Sequence, residues 1–202
     1  MATVTQLGPG DHGRTLTLEL FTESDYELGY QYELIEGRLY VTPLPAQPHA
    51  WIEKFILKKL MQYSEQRPDG INYATDKARV FVPGMTWTTA PEPDVVAYRD
   101  FPTDRQPNVA WDEVSPILVV EIISESDPDK DLVRNVELYL QVPSIQEYWI
   151  LDNRQESARP TMRVFRRSGD GWDTQDVAFG ETYTTPLLPE FSLLVDPGRQ
   201  SS

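Results

Sequence analysis

Leu118-Val119-Val120-Glu121-Ile122-Ile123 is the stretch on which the reading of the fold turns. With Ile117 it forms the longest apolar run of the chain, rich in β-branched residues, which is how a strand covered on both faces appears. It should lie mid-sheet, and it carries one carboxylate. Upstream, Pro93-Asp94-Val95-Val96 sets a second acid at the mouth of another apolar strand, Asp94 to Tyr98. Desolvating an ionised carboxylate is costly, so an acid in such a run calls for a cation or strong hydrogen-bond donors. Two such acids on adjacent strands could hold one metal ion. A plainer reading stays open for each: Asp94 as a turn residue opening its strand, Glu121 as a side chain pointing out of a sheet edge.

Downstream, Leu132, Val133, Val136, Tyr139 and Leu140 give a helical stripe starting near Asp129, and Glu147 to Leu151 reads as the next strand. A strand, helix, strand succession of this length implies a crossover between parallel neighbours. Thr161 to Arg166 and Trp172 to Ala178, joined by Ser168-Gly169-Asp170-Gly171, predict a hairpin. Upstream, Ile52, Phe55, Ile56, Leu60 and Tyr63 recur at helical spacing between Ala46 and Tyr63. Asn72 to Thr75 and Ala78 to Val82 read as short strands, and Tyr32 to Ile35 with Arg38 to Val41 as a hairpin about Glu36-Gly37. Thr17 is the expected N-cap of a first helix. Residues 1–14 and 197–202 lack apolar periodicity and are expected to fray, leaving residues 15–196 as one α/β domain.

There is no cysteine and there are two histidines, which excludes disulfides, thiolate zinc sites and three-histidine centres, so any metal must be held mainly by oxygen. No secretory signal or stretch of ~20 apolar residues is present, so a cytoplasmic protein without a membrane span is expected. The net charge of −14 opposes non-specific attraction to a phosphate backbone. The charge is uneven: twelve acids lie between Pro91 and Glu137, against Arg99, Arg105, Lys130 and Arg134. Basic residues gather at Lys54, Lys58 and Lys59 and at Arg163, Arg166 and Arg167, the candidate phosphate-facing patches, unless they are solvated surface.

Tyr32-Glu33-Leu34-Ile35-Glu36-Gly37, the helix entrance at His49, Pro93-Asp94, Val120-Glu121-Ile122-Ile123-Ser124, and Val142 to Asp152 follow one another in an order that resembles the Uma-two family of bacterial endonuclease-like proteins with a PD-(D/E)XK core. The resemblance runs from about Thr17 to Phe191. It implies a restriction-endonuclease-like mixed β-sheet flanked by α-helices, with extra N-terminal and C-terminal β-hairpins. It also implies Asp94 and Glu121 as the pair that binds Mg2+, replaceable by Mn2+, with the main-chain carbonyl of Ile122 as a further ligand. Glu33 matches an upstream acid of the family and either assists at the metal or is an exposed hairpin glutamate. The implied activity is Mg2+-dependent hydrolysis of DNA phosphodiester bonds; a nuclease that must reach two strands is expected to act as a homodimer.

One departure bears on catalysis. The motif lysine two residues after the second acid is Ile123 here, and the family's alternative place, four residues before Tyr139, holds Asn135. Asn135 can hydrogen-bond a water or a phosphate but carries no charge; Lys130 and Arg134 are the nearby substitutes. A catalytically weakened nuclease fold acting as a nucleic-acid-binding or regulatory module is therefore the alternative function. His49 suits helix capping or the lining of a cleft; Tyr148 and Trp149 alternate on a strand, and one of them is expected to fill the core rather than stack on a base. Asp152 suits a turn. Ser124 and Ser126 lack a histidine at a suggestive spacing, which argues against a serine hydrolase.

Overall fold

The computed structural model describes residues 5–44, 46–76, 78–123 and 130–199. The chain opens with β1 (Gln6–Leu7), α1 (Leu18–Glu23), β2 (Asp25–Tyr26), β3 (Tyr30–Ile35) and β4 (Arg38–Pro43). Thr17 Oγ1 caps α1 by accepting from the Leu20 N–H at 3.2 Å, as its place before the first apolar residue predicts. β3 and β4 form the expected hairpin; Glu36 and Gly37 both have positive φ, which a two-residue turn matched to the strand twist requires. The expected frayed segment 1–14 is corrected in part. Gln6–Leu7 pairs in parallel with β2, and Leu7 is buried with Phe21, Leu34 and Leu39 against the hairpin. A single apolar residue set between turns carries no periodicity, so its burial left no trace in the pattern.

Next come α2 (Gln47–Gln66), β5 (Tyr73–Thr75), β6 (Val95–Tyr98) and β7 (Leu118–Ile123). A π-helical turn over Lys130–Arg134 leads into α3 (Asn135–Leu140), followed by β8 (Glu147–Asp152), β9 (Thr161–Ser168), β10 (Gly171–Val177), β11 (Thr182–Thr184) and β12 (Ser192–Leu194). The main sheet has the order β10-β9-β8-β7-β6-β5 and is mixed: β7 runs parallel to β8, and the other neighbours are antiparallel. β7 is interior, and both its faces are covered. Leu118, Val120 and Ile122 pack with Ile52, Ile56 and Leu60 of α2; Val119 and Ile123 pack with Leu138, Tyr139 and Tyr148. Trp149 and Tyr148 fill the two opposite faces, so both are core residues. No helix among the described residues is long and apolar enough to cross a membrane.

Two expected elements differ. Ala78 to Val82 joins no named strand; it is held by its own return loop, with the Val80 and Val82 N–H groups donating to the carbonyls of Pro91 and Thr89. In the helix after β7, Val133 is 56% exposed while Asp131 and Asn135 are buried with Leu138 and Tyr139. The π turn shifts the phase of everything after it relative to a continuous 3.6-residue repeat, so the apolar stripe read from sequence is out of register with the face that packs. Asp129, the expected helix start, lies outside the described residues.

The Arg163, Arg166 and Arg167 group does not form a phosphate-facing patch. Arg163 forms a two-pronged pair with Asp176, and Arg166 pairs with Glu147 at 2.9 Å. Arg167 donates to the carbonyls of Tyr139, Leu140, Val142 and Ile145, satisfying the open C-terminal carbonyls of α3 and the turn beyond. Arg167→Ala should therefore lower stability by about 1.5–3 kcal/mol, the usual worth of charge-assisted hydrogen bonds. Denaturant unfolding measures this, and a loss below about 0.5 kcal/mol would contradict the capping role.

Candidate metal centre

β6 pairs with β7 only as far as Val95 opposite Val120, while β7 continues through Ile123. Where the ladder stops, the two acids take over its hydrogen bonds. Asp94 Oδ2 accepts from the Ile122 N–H at 2.7 Å, and Glu121 Oε2 accepts from the Asp94 N–H at 3.3 Å. Both side chains are buried, Asp94 at 7% and Glu121 at 2% exposure; Asp94 lies in the bend that opens β6, and Glu121 sits on an interior strand rather than a sheet edge. Glu121 Oε1 is filled by Asn135 Nδ2 and Tyr139 Oη, each at 2.9 Å. Asp94 Oδ1 lies 2.8 Å from His49 Nε2, and Glu121 Oε2 has the longer 3.3 Å contact to the Asp94 N–H.

The flanking elements bring further charge. The hairpin delivers Glu33, buried rather than exposed, into a pair with Lys130 Nζ at 3.2 Å and Arg134 Nη2 at 3.0 Å, while its Oε1 also accepts from the Glu92 N–H. Glu33 is thus committed to two cations rather than joined to Asp94 and Glu121 about one point. Asn135 is wholly buried; its amide bridges Glu121 and Asp131, and its oxygen accepts from Arg134 Nε at 3.1 Å. Asp131 and Tyr139 Oη had no role in the sequence reading. The signal for Asp131 was its place four residues before Asn135, which puts both on one side of a helical segment.

Burial drives the Glu121 carboxyl well above the ordinary carboxylate range, and the charges of Asp131 and Asp94 add to it. Burial likewise pushes Asp131 up to about 7, against the pull of Lys130. Burial alone would also raise Glu33, but Lys130 and Arg134 outweigh it and hold this acid low. Burial would lower His49, yet its hydrogen bond to Asp94 brings it above the usual value. Four buried acids, Glu33, Asp94, Glu121 and Asp131, thus share two strong cations, Lys130 and Arg134. An oxygen-rich, under-compensated cluster of this kind fits a hard divalent cation.

His49 is the third residue of α2, not its cap, which is Ala46. It lies one turn before Ile52 on the stripe that faces the sheet, which is how its ring reaches Asp94. Ser124 and Ser126 lie outside the described residues. Asp152 acts as the expected turn acid, accepting from the Arg154 backbone and guanidinium. Lys54, Lys58 and Lys59 line a groove of about 190 Å³ with Trp51, Phe55 and Arg199 on the outer side of α2.

Comparison with known proteins agrees with this architecture. The family Uma2, described as "Putative restriction endonuclease", matches residues 18–196. A crystal structure from Anabaena variabilis ATCC 29413, described as a "putative nuclease belonging to DUF820", superposes with a TM-score of 0.68 at 18% identity, covering 89% of this chain and 95% of that one. No curated protein matches.

These protonation states set a pH dependence. Glu121 and Asp131 hold protons in the folded protein that the unfolded chain releases near pH 4, so their burial costs stability as pH rises above 4, for Asp131 through about 7. The His49–Asp94 pair is at full strength below about pH 6.5 and is lost as pH rises through the raised His49 value, with the same sign. Glu33 acts only below its ordinary range and adds no slope there. In EDTA, the unfolding midpoint should fall from pH 5.5 to pH 8. Calorimetric melts across that interval test it; a flat or rising midpoint would contradict the assignment.

Proposed function

The chain belongs to the Uma2 family of restriction-endonuclease-like proteins, and from that membership we propose that it is a divalent-metal-dependent nuclease that hydrolyses DNA phosphodiester bonds at the Asp94–Glu121 pair. One observation carries the reading: where β6 ends beside β7, two buried carboxylates meet in a cluster of acids short of positive charge. Asp94 and Glu121 would hold Mg2+, or Mn2+ in its place. The Ile122 carbonyl joins them, because an extended residue projects its C=O to the same side as its N–H, and that N–H is on Asp94. When bound, such an ion polarises the phosphoryl oxygens and lowers the pKa of an attacking water.

The protein's own groups have distinct tasks in this scheme. Asn135 and Tyr139 fix the Glu121 carboxylate by occupying Oε1, which leaves Oε2 directed toward Asp94. Glu33 anchors Lys130 and Arg134, and Lys130 also lies within the field of Glu121, Asp131 and Asp94. Lys130 therefore supplies the positive charge that the motif lysine would bring, to complement charge building up on the phosphoryl oxygens. The basic groove on α2 offers the phosphate contacts of the flanking backbone. A cytoplasmic location and action as a homodimer complete the reading.

The burial of Asn135 favours a second reading, a weakened nuclease fold that binds or regulates. Both amide contacts of its Nδ2 go to carboxylates, so it has no donor left for substrate.

Two variants test these readings. Glu121→Gln should abolish Mg2+-dependent nicking of plasmid DNA and weaken Mg2+ binding at least tenfold by calorimetry, with a retained cooperative melt; undiminished cleavage would sink the assignment. With Lys130 in the motif role, Asn135→Lys should lower the nicking rate, because it removes one of the two donors that hold the Glu121 carboxylate. A gain of tenfold or more, toward the roughly 10²–10³ that such a donor contributes elsewhere, would support the weakened site instead.

A further inference from the structure

Asp94 is shared by a second set of ligands. His49, Glu53 and Asp94 place one ligand atom each within 4.8 Å of one another, the one group of three or more metal-capable side chains that meets this spacing among the described residues. Glu121 is outside it, as are Glu33 and Asp131. The arrangement follows from α2: His49 and Glu53 are four residues apart and so lie on one flank of the helix, and that flank overhangs the end of β6. His49 is 92% removed from solvent, as its 8% exposure states, and its Nε2 is directed at Asp94 Oδ1. Glu53 is half-buried beside it, and its charge acts on the ring.

The neighbouring contacts show which atoms are available. Asp94 Oδ2 is committed to the Ile122 N–H, so Oδ1 is the oxygen facing away from the ladder, and it faces the imidazole. On the far side of the ring, buried Nδ1 has no hydrogen-bond partner. A buried polar atom is ordinarily satisfied, and a histidine placed for core structure alone would be expected to be held at both nitrogens. This one is held only by the acid it shares. Imidazole is a ligand for first-row transition metals, whereas a site of oxygens alone suits Mg2+.

We propose that His49 Nε2, Glu53 and Asp94 Oδ1 form a mixed nitrogen–oxygen site for a divalent transition-metal ion, adjoining the Asp94–Glu121 pair and sharing Asp94 with it. The inference rests on the nuclease reading for the role of Asp94. It adds a ligand set and a metal class that this reading does not contain. The shared carboxylate couples the two positions, so an ion on the imidazole side orients Asp94 for the other.

Mn2+ is the probe, because electron spin-echo modulation detects a directly bound imidazole nitrogen without any turnover. The full-length protein loaded with Mn2+ should show nitrogen-14 modulation, and His49→Gln should abolish it. His49→Gln should also raise the Mn2+ dissociation constant at least tenfold while changing that for Mg2+ less than threefold, with circular dichroism confirming the fold. Glu53→Gln should weaken Mn2+ binding yet keep the nitrogen signal, which separates loss of a ligand from loss of the fold. Bound Mn2+ without nitrogen modulation in the unaltered protein, or unchanged Mn2+ affinity in folded His49→Gln, overturns the imidazole site. If Mn2+ without nitrogen modulation is lost in Glu121→Gln, the Asp94–Glu121 reading stands alone; if no Mn2+ binds to the unaltered protein, both fall.

Discussion

The constraint from which the site follows is that β6 stops pairing before β7 does. A strand that continues past its partner leaves backbone donors without acceptors in a buried place, and such donors must be satisfied. Here Asp94 and Glu121 satisfy them, each carboxylate taking an N–H of the other acid's neighbourhood. This puts two carboxyl groups where solvent does not reach, and the surrounding elements supply their partners. α2 supplies an imidazole, α3 supplies an amide and a phenol, and the N-terminal hairpin supplies Glu33 as the anchor of two cations from the π turn. The hairpin is not part of the main sheet, yet it meets the 88–92 segment through Leu34, Gly37 and Glu33, so it is fixed to the chain that leads into Asp94.

Glu147 shows how the same protein buries a carboxylate that it has fully compensated. It opens β8, parallel to β7, and is as buried as Glu121. Arg166 and Thr185 donate to one of its oxygens, and Trp149 and Tyr183 to the other. Four donors, one of them charged, leave that acid no call for an ion, in accord with the rule that buried charges are paired and hydrogen-bonded. Glu121 has two neutral donors on one oxygen and a long backbone contact on the other, with further acids nearby. The contrast between two buried glutamates on adjacent strands is what distinguishes a candidate ion site from a structural charge.

That contrast could not be read from the sequence, because donors to a buried acid come from distant segments: Thr185 is 38 residues from Glu147. What could be read were features with a short period. The β7 run, the β3–β4 turn at Glu36-Gly37, the stripe of α2 and the β9–β10 hairpin all write their geometry into adjacent residues. The helix after β7 was misphased because a π turn has no signature in apolar spacing. Arg163, Arg166 and Arg167 looked like a surface cluster, but along a strand successive side chains leave by opposite faces, so neighbours in sequence reached Asp176, Glu147 and the end of α3 separately. Asp94 and Glu121 were legible as carboxylates interrupting apolar runs, and Asn135 only through the family's spacing to Tyr139. Asp131 and Glu53 were not, since an acid in an acidic, polar stretch interrupts nothing.

The remaining tension is between a net charge of −14 and the proposed phosphodiester substrate, and it eases once charge is considered by distance. In physiological salt, exposed charges more than ~8 Å apart are largely screened from each other. Acids on remote surfaces therefore subtract little from a local basic groove, whereas Lys54, Lys58, Lys59 and Arg199 act together on anything lying between them. The groove and the cluster are joined by a single rigid element: His49 and Lys59 are ten residues apart on α2, about 15 Å along the axis. A strand held by its phosphates along that helix would be set at a fixed distance from Asp94. Under the proposed function the acidic excess near Asp94 would serve the ion rather than the nucleic acid, and a bound divalent cation would reverse the sign that an approaching phosphate meets. On this view metal loading precedes productive contact, because the charge that gathers the ion would otherwise repel the substrate.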